Sequence, residues 1–392
     1  MGIWQGRNGL FVAAFWMDFS LGVVIFAVPL VAIDLGAGPL ELGLIGASAF
    51  VYTVFCLLGG KASEELGRRG TALLGAFTTA AIALSIARVQ SIPWLLMLVF
   101  CSSAGIGLFW PSLQAWLAEQ RDRRALTHGV GAYNIAWSTG LTVGPLISGL
   151  LRSVGPRAPL YAGAAGYLSV ALLLLAVARP QREEPEELAE APPIPVRSAL
   201  SLLHVAWVCN FASWFMATSV RNLFPKLAKD LALSETILSV LIASVGVAQV
   251  ACFAALWRGR WWHYKLWPML AFQGLGALGM LLVLTGHTWQ VFALGMLMGG
   301  AMTGMTYYAS LFYSLRVPGS GRGVRTGLHE GFIGAGILLG PLMGGTAAHL
   351  TSNLRVPYLL IILVIALTAL VSLVIYRRPE RSGAAVAAAD ER

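Results

Sequence analysis

Two carboxylates stand where carboxylates are expensive. Asp18 is the single charge in the apolar run 11–33, and Glu330, with His329 beside it, lies inside another apolar run at 324–350. An ionised side chain at the centre of a bilayer costs at least about 2.5–3.5 kcal/mol, so each acid needs a reason to be there. One reason is proton binding. Burial disfavours the charged form of a carboxylate, which lets a pH gradient load and unload it. The other is a structural hydrogen bond to a neighbouring helix. Asp18 sits nine residues into the helical run 9–33, roughly 14 Å along a helix at 1.5 Å per residue. Arg221 is a third intramembrane charge, near the end of the run 201–225, where its long side chain is expected to snorkel to the surface, with anion binding as the alternative. The chain has no GxxxxGK[ST] loop for ATP, no second His after His329-Glu330 to complete a zinc-protease motif, and no GxSxG elbow. No cofactor, no metal and no catalytic residue is expected.

The elements that must carry these residues follow from composition. Only 11% of the 392 residues are charged and 57% are hydrophobic, against about 25% charged in an ordinary soluble domain. The apolar residues come in runs of bilayer length, and twelve of them read as helices, roughly 9–33, 39–61, 70–89, 92–118, 127–151, 157–178, 201–225, 234–257, 264–286, 288–315, 324–350 and 355–376. The first is longer than a signal-peptide core and carries Pro29, so it is read as a permanent span. The net charge of +9 is a topology signal and not a nucleic-acid footprint: 20 of the 27 Lys and Arg fall on the side of the termini and 7 on the other. The positive-inside rule then puts both termini in the cytoplasm of a multi-pass plasma-membrane protein. The four cysteines fall within apolar runs and read as small packing residues, with no disulfide framework among them.

The chain repeats itself. Sliding it by 196 positions puts Pro29 on Pro225, Asp34 on Asp230 and Cys56 on Cys252 without a gap. The same register lays GAYNIAWSTGLTVGPLISG (131–149) on GLHEGFIGAGILLGPLMGG (327–345), so that Gly140, Gly144, Pro145 and Gly149 meet Gly336, Gly340, Pro341 and Gly345, and Asn134 meets Glu330. Glycines at this spacing let two helix backbones approach, and proline bends the helix. Between the halves, the segment 179–198 holds five acids and five prolines and is too polar to fold alone. The expected organisation is an N-terminal six-helix bundle (1–178), a cytoplasmic linker (179–200), a C-terminal six-helix bundle (201–376) and a cytoplasmic tail (377–392). Repeated bundles around a midplane site are a transporter architecture.

These features resemble the major facilitator superfamily. After the second span, GGKASEELGRR carries Gly60, Glu64, Gly67, Arg68 and Arg69 in the places of that family's loop signature, although the family usually has Asp at the position of Glu64 and a base at that of Glu65. The resemblance implies a gate: Glu64 would face the N-terminus of the eleventh span, whose helix dipole favours a carboxylate. The GxxxGP element at Gly140–Pro145 resembles a motif associated with efflux antiporters, while its second copy shows that the pattern also serves packing. Drug–proton antiporters of this family commonly carry an Arg in the fourth span; here nothing basic stands between Val99 and Trp116. The resemblance further implies a central cavity lined by Gln114, Tyr133, Asn134, Asn210, Gln249, Thr306, Tyr307 and His329, with Trp110, Trp137 and Trp214 around them, a lining suited to an amphipathic or aromatic small molecule. The implied function is secondary transport by alternating access in a monomer, exporting such a compound, with protons as the coupling ion and Asp18 or Glu330 as the titrating group. Uptake of a polar solute such as a sugar or organic acid is the alternative. A polytopic enzyme or receptor is more remote, because no cluster of catalytic residues gathers at either face.

Overall fold

A computed structural model describes residues 7–119, 123–177, 196–317 and 322–377. Thirteen helices make up the described chain: α1 (Arg7–Asp34), α2 (Pro39–Ala47), α3 (Ala49–Glu65), α4 (Arg68–Ile86), α5 (Ile92–Glu119), α6 (Arg123–Arg152), α7 (Ala158–Ala176), α8 (Val196–Asp230), α9 (Glu235–Arg258), α10 (Trp267–Thr285), α11 (Trp289–Arg316), α12 (Arg322–Thr351) and α13 (Val356–Arg377). There are twelve crossings, because α2 and α3 are two parts of one span. Ser48 between them keeps helical angles (φ −60°, ψ −19°), so the chain passes from one to the other without a loop. The second span, read from sequence as one run over 39–61, is therefore divided at Ser48 into two helices. Helix α8 starts at Val196, inside the segment expected to be linker; residues 178–195 and 378–392 of the expected linker and tail lie outside the described residues.

Ten of the twelve crossings are long and apolar enough to span a bilayer by composition alone. The other two are α6 and α11, and their polar residues have a use: both help wall the central cavity described below. A helix that faces other helices and water does not need a uniformly greasy surface.

The sequence repeat is visible in the packing. A Cβ on Gly140 of α6 would stand 2.8 Å from the backbone N of Phe19 on α1, and one on Gly336 of α12 would stand 2.9 Å from the N of Phe215 on α8. Phe19 and Phe215 are themselves 196 positions apart. Within each half, glycine thus lets the fifth span press on the first. Across the halves the equivalence continues: Gly149 of α6 lies against Ser239 of α9, and Gly345 of α12 lies against Gly43 of α2. Gly43 and Ser239 share the same register. The fold is therefore an all-α membrane protein of two pseudo-symmetric six-helix bundles, joined face to face along α2–α12 and α6–α9.

Arginines close the helix ends on the side away from the termini. Arg157 donates to the carbonyls of Ile86 (3.2 Å) and Val89 (3.0 Å), and Arg355 donates to those of Leu284 (2.6 Å) and Val283 (3.4 Å). Each guanidinium satisfies orphan carbonyls at a helix C-terminus and sits at the negative end of its dipole. Close glycine packing has a measurable consequence. Gly140→Val should lower stability by about 1–3 kcal/mol through overpacking against backbone that cannot yield. Gly327→Val, whose added Cβ meets nothing within 4 Å, should leave stability unchanged. Loss of monodisperse detergent-solubilised protein on heating reads both.

Candidate functional site

A cavity lies between the bundles, walled by α1, α2–α3, α5, α6, α8, α11 and α12, and encloses ≈ 950 Å³ of empty space with its open mouth included. Its wall is aromatic at mid-depth. Trp110 and Tyr133 meet edge to face at 6.2 Å, as do Trp137 and Tyr307 at 5.5 Å, and Trp214 lies 6.3 Å from Tyr307. The Trp137–Tyr307 contact joins the two halves. Gln114 donates to the Tyr133 hydroxyl at 3.2 Å and, with Glu330, is exposed at the mouth toward the termini. Asp18 is 4% exposed on the α1 wall, and no described residue hydrogen-bonds its carboxylate.

Of the residues singled out in the sequence, Asp18, Trp110, Gln114, Tyr133, Trp137, Trp214, Tyr307 and Glu330 come together on this one cavity. Gln249 of α9 lines an adjoining, deeper recess. Four others stand behind the wall. Asn134 accepts the Trp137 indole proton at 2.9 Å, fixing that ring. His329 Nδ1 is 2.7 Å from the Ser310 hydroxyl, Thr306 bonds Ser213 at 2.8 Å, and Asn210 is wholly buried between helices. Sequence reasoning also missed wall residues. Tyr52, Ser48 and Ser103 line the cavity, and nothing in their local sequence marks them. Arg221 does not snorkel: it lines the main cavity and both recesses that adjoin it.

The end away from the termini is shut by charge as well as by glycine packing. Arg152, at the end of α6, grips Glu235 of α9 with two bonds, Nε to Oε2 at 2.8 Å and Nη2 to Oε1 at 2.6 Å. Its Nη2 also reaches Asp34 of α1 at 3.0 Å, and Nη1 donates to the Pro156 carbonyl at 3.1 Å. Lys229 of α8 adds a second cation 3.4 Å from Asp34. Two-pronged Arg–carboxylate pairing is among the stronger polar contacts a protein makes. The cluster ties α1 and α6 of one half to α8 and α9 of the other.

At the opposite end the loop signature adopts defined geometry. Gly67 has φ 83°, a left-handed conformation natural to glycine, and initiates α4. Arg68 donates to Ser63 at 2.6 Å and Arg69 to the Leu175 carbonyl of α7. It is Gly59, not Gly60, that permits close helix packing: a Cβ there would lie 2.9 Å from the Gly107 carbonyl, while Gly60 has open space. Glu64 is exposed and pairs with no described residue.

Two matched helical bundles around a cavity open at one end and sealed at the other define a membrane transporter, and not an enzyme. The sequence profile of the Major Facilitator Superfamily matches residues 10–220 and again 206–391, and the chain belongs to that superfamily. It is 24% identical over 177 residues to the quinolone resistance protein NorA of Staphylococcus aureus, a match covering 44% of this chain and 45% of the length of that relative. It is 21% identical over 349 residues to multidrug resistance protein 1 of Bacillus subtilis, covering 85% of this chain and 87% of the other. Among solved structures it is similar to a bacterial homologue of the human lysosomal transporter Spinster in an inward-facing, unoccupied conformation, with TM-score 0.73, 13% identity and coverage of 95% and 96%.

Proposed function

We propose that the chain exports a small amphipathic compound across the plasma membrane by alternating access, in exchange for protons, as a monomer with both termini cytoplasmic. The observation that carries this is the cavity: aromatic at its waist, open toward the termini, and sealed at the far end by Arg152, Glu235 and Asp34. An apolar solute entering from the cytoplasmic side meets ring faces before it meets charge. The names borne by the staphylococcal and bacillary relatives lend support to efflux. The halves 1–178 and 201–376 act as the two rocking bodies, joined by the linker 179–200 and followed by the tail 377–392. Asp18, buried on the wall, is the proton carrier; Glu330 at the mouth is the second candidate. Glu64 pairs with no described residue while the cytoplasmic end is open, and the latch to the N-terminus of α12 forms when that end closes.

A second reading, uptake of an organic acid together with a proton, draws on Arg221 facing the cavity. Direction decides between them. In proteoliposomes loaded with a fluorescent aromatic dye, an inward proton gradient should accelerate dye exit, and collapsing that gradient with a protonophore should abolish the acceleration. If the gradient instead drives accumulation of an organic acid and leaves dye exit unchanged, the uptake reading replaces export.

A further inference from the structure

At the sealed end of the cavity, hydrogen-bond donors collect without acceptors. The deeper recess between α1, α6, α8, α9 and α11 is lined by Arg221, Trp214 and Gln249. Trp214 is 8% and Gln249 7% exposed; the Trp214 indole N–H and the Gln249 amide N–H have no hydrogen-bond partner, and no described residue hydrogen-bonds or ion-pairs with Arg221. Buried donors are nearly always satisfied, and one left bare is costly to the fold. The hydroxyls around them take none of these bonds: Ser138, Thr142 and Thr303 give their own protons to the carbonyls of Asn134, Ser138 and Gly299, and the Trp214 and Gln249 N–H groups reach none of their oxygens. The rest of the recess is apolar, with Ile25, Phe26 and Val245 among its walls. No carboxylate lines it; Asp18, on the wall of the main cavity that Arg221 also lines, attracts Arg221 electrostatically without bonding it, and Glu330 lines that cavity too.

We infer that Arg221, Trp214 and Gln249 form a binding pocket for a single anionic group, a carboxylate or sulfonate, carried by an aromatic solute. The inference rests on the export reading and names the substrate class of that same cavity. The anionic head enters first and takes the three donors at the sealed end; the aromatic body remains among Trp110, Tyr133, Trp137 and Tyr307. A guanidinium plus two N–H groups matches the geometry of a planar carboxylate, and charge-assisted bonds of this kind are roughly twice as strong as neutral ones. Asp18 and Glu330 repel a second negative charge nearer the mouth, so the pocket selects monoanions and zwitterions over dianions.

The test uses the full chain in lipid nanodiscs with naphthoate and its neutral isostere naphthamide, read by calorimetry. Wild type should bind the acid at least about tenfold tighter than the amide. Arg221→Gln should erase that preference, Gln249→Leu should reduce it, and Arg221→Lys, which keeps the charge but not the fork, should retain part of it, each read as the ratio of acid to amide affinity within one variant. Equal binding of acid and amide to wild type, no saturable binding of the acid, or an acid preference that survives Arg221→Gln would overturn the inference. Dye exit that persists in any of those cases leaves the export reading standing; the export reading fails by its own test, when no gradient moves the dye.

Discussion

Replacing Arg152 with Gln should unseal the far end of the cavity. Arg152 is the only described residue that joins α1, α6 and α9 through one side chain, and its side chain is 4% exposed. Removing one partner of a fully buried pair costs about 3–5 kcal/mol, because the charges left behind lose their compensation. The carboxylates here are 34% and 41% exposed, so water takes over part of the role and the cost falls to about 1–3 kcal/mol. That cost applies only to the state in which the far end is shut, since opening separates the partners anyway. The ratio of shut to open molecules should therefore drop about 5–150-fold. A cysteine at Ile25, which lines the cavity and both recesses, in a background lacking Cys56, Cys101, Cys209 and Cys252, reports it. Labelling by a membrane-impermeant maleimide from the outer face should speed up by that factor in Arg152→Gln and by less in Arg152→Lys, which keeps charge but loses the two-pronged grip. Unchanged labelling would mean that glycine packing alone holds the seal.

Asp18→Asn should remove gradient-driven transport while sparing exchange. The amide keeps the size and most of the polarity of the carboxylate but cannot carry a proton. For one-for-one exchange, a gradient of about one pH unit is worth 1.36 kcal/mol and sustains about a tenfold concentration ratio of solute. The wild type should build that ratio and the Asn variant none. Substrate-for-substrate exchange across the same vesicles, which needs no net proton movement, should continue at a rate within a few-fold of wild type. Glu330→Gln should have the smaller effect, because that side chain already meets water at the mouth. If both variants keep the full ratio, protons are not the coupling ion.

Much of this was legible in the chain before any coordinates. Bilayer-length apolar runs force helices, because lipid offers no partner for a bare backbone amide. The 196-residue register made the glycine segments of α6 and α12 equivalent, but that they press on α1 and α8 is seen only in the fold. Residues such as Trp137 and Tyr307 were readable as cavity residues through the family resemblance. What stayed hidden was rotational. A helix turns 100° per residue, so a polar residue one position away from the wall faces a neighbouring helix instead; that separates Tyr133, on the cavity, from Asn134, behind it, and Glu330 from His329. Arg221 faces the cavity and not the surface for the same reason: proximity to a helix end sets how far a side chain must reach, not which way it points. The Arg152 cluster was out of reach for another. Its partners lie 118 and 83 residues away in sequence, and only the tertiary fold brings them together. The break at Ser48 comes just after the segment of α2 that lies against Pro341 and Gly345 of the other half, a contact no local pattern encodes.

In the proposed cycle the two bundles rock about one cavity so that its ends open in turn. The most direct measurement is a pair of spin-label distances across the bundles, one at the far end between Val154 and Ala232, one at the termini end between Leu66 and Val324, all four being exposed positions. Lowering pH or adding a transported dye should lengthen one distance as it shortens the other. Both distances moving in the same sense, or both staying fixed in protein that still transports, would contradict it.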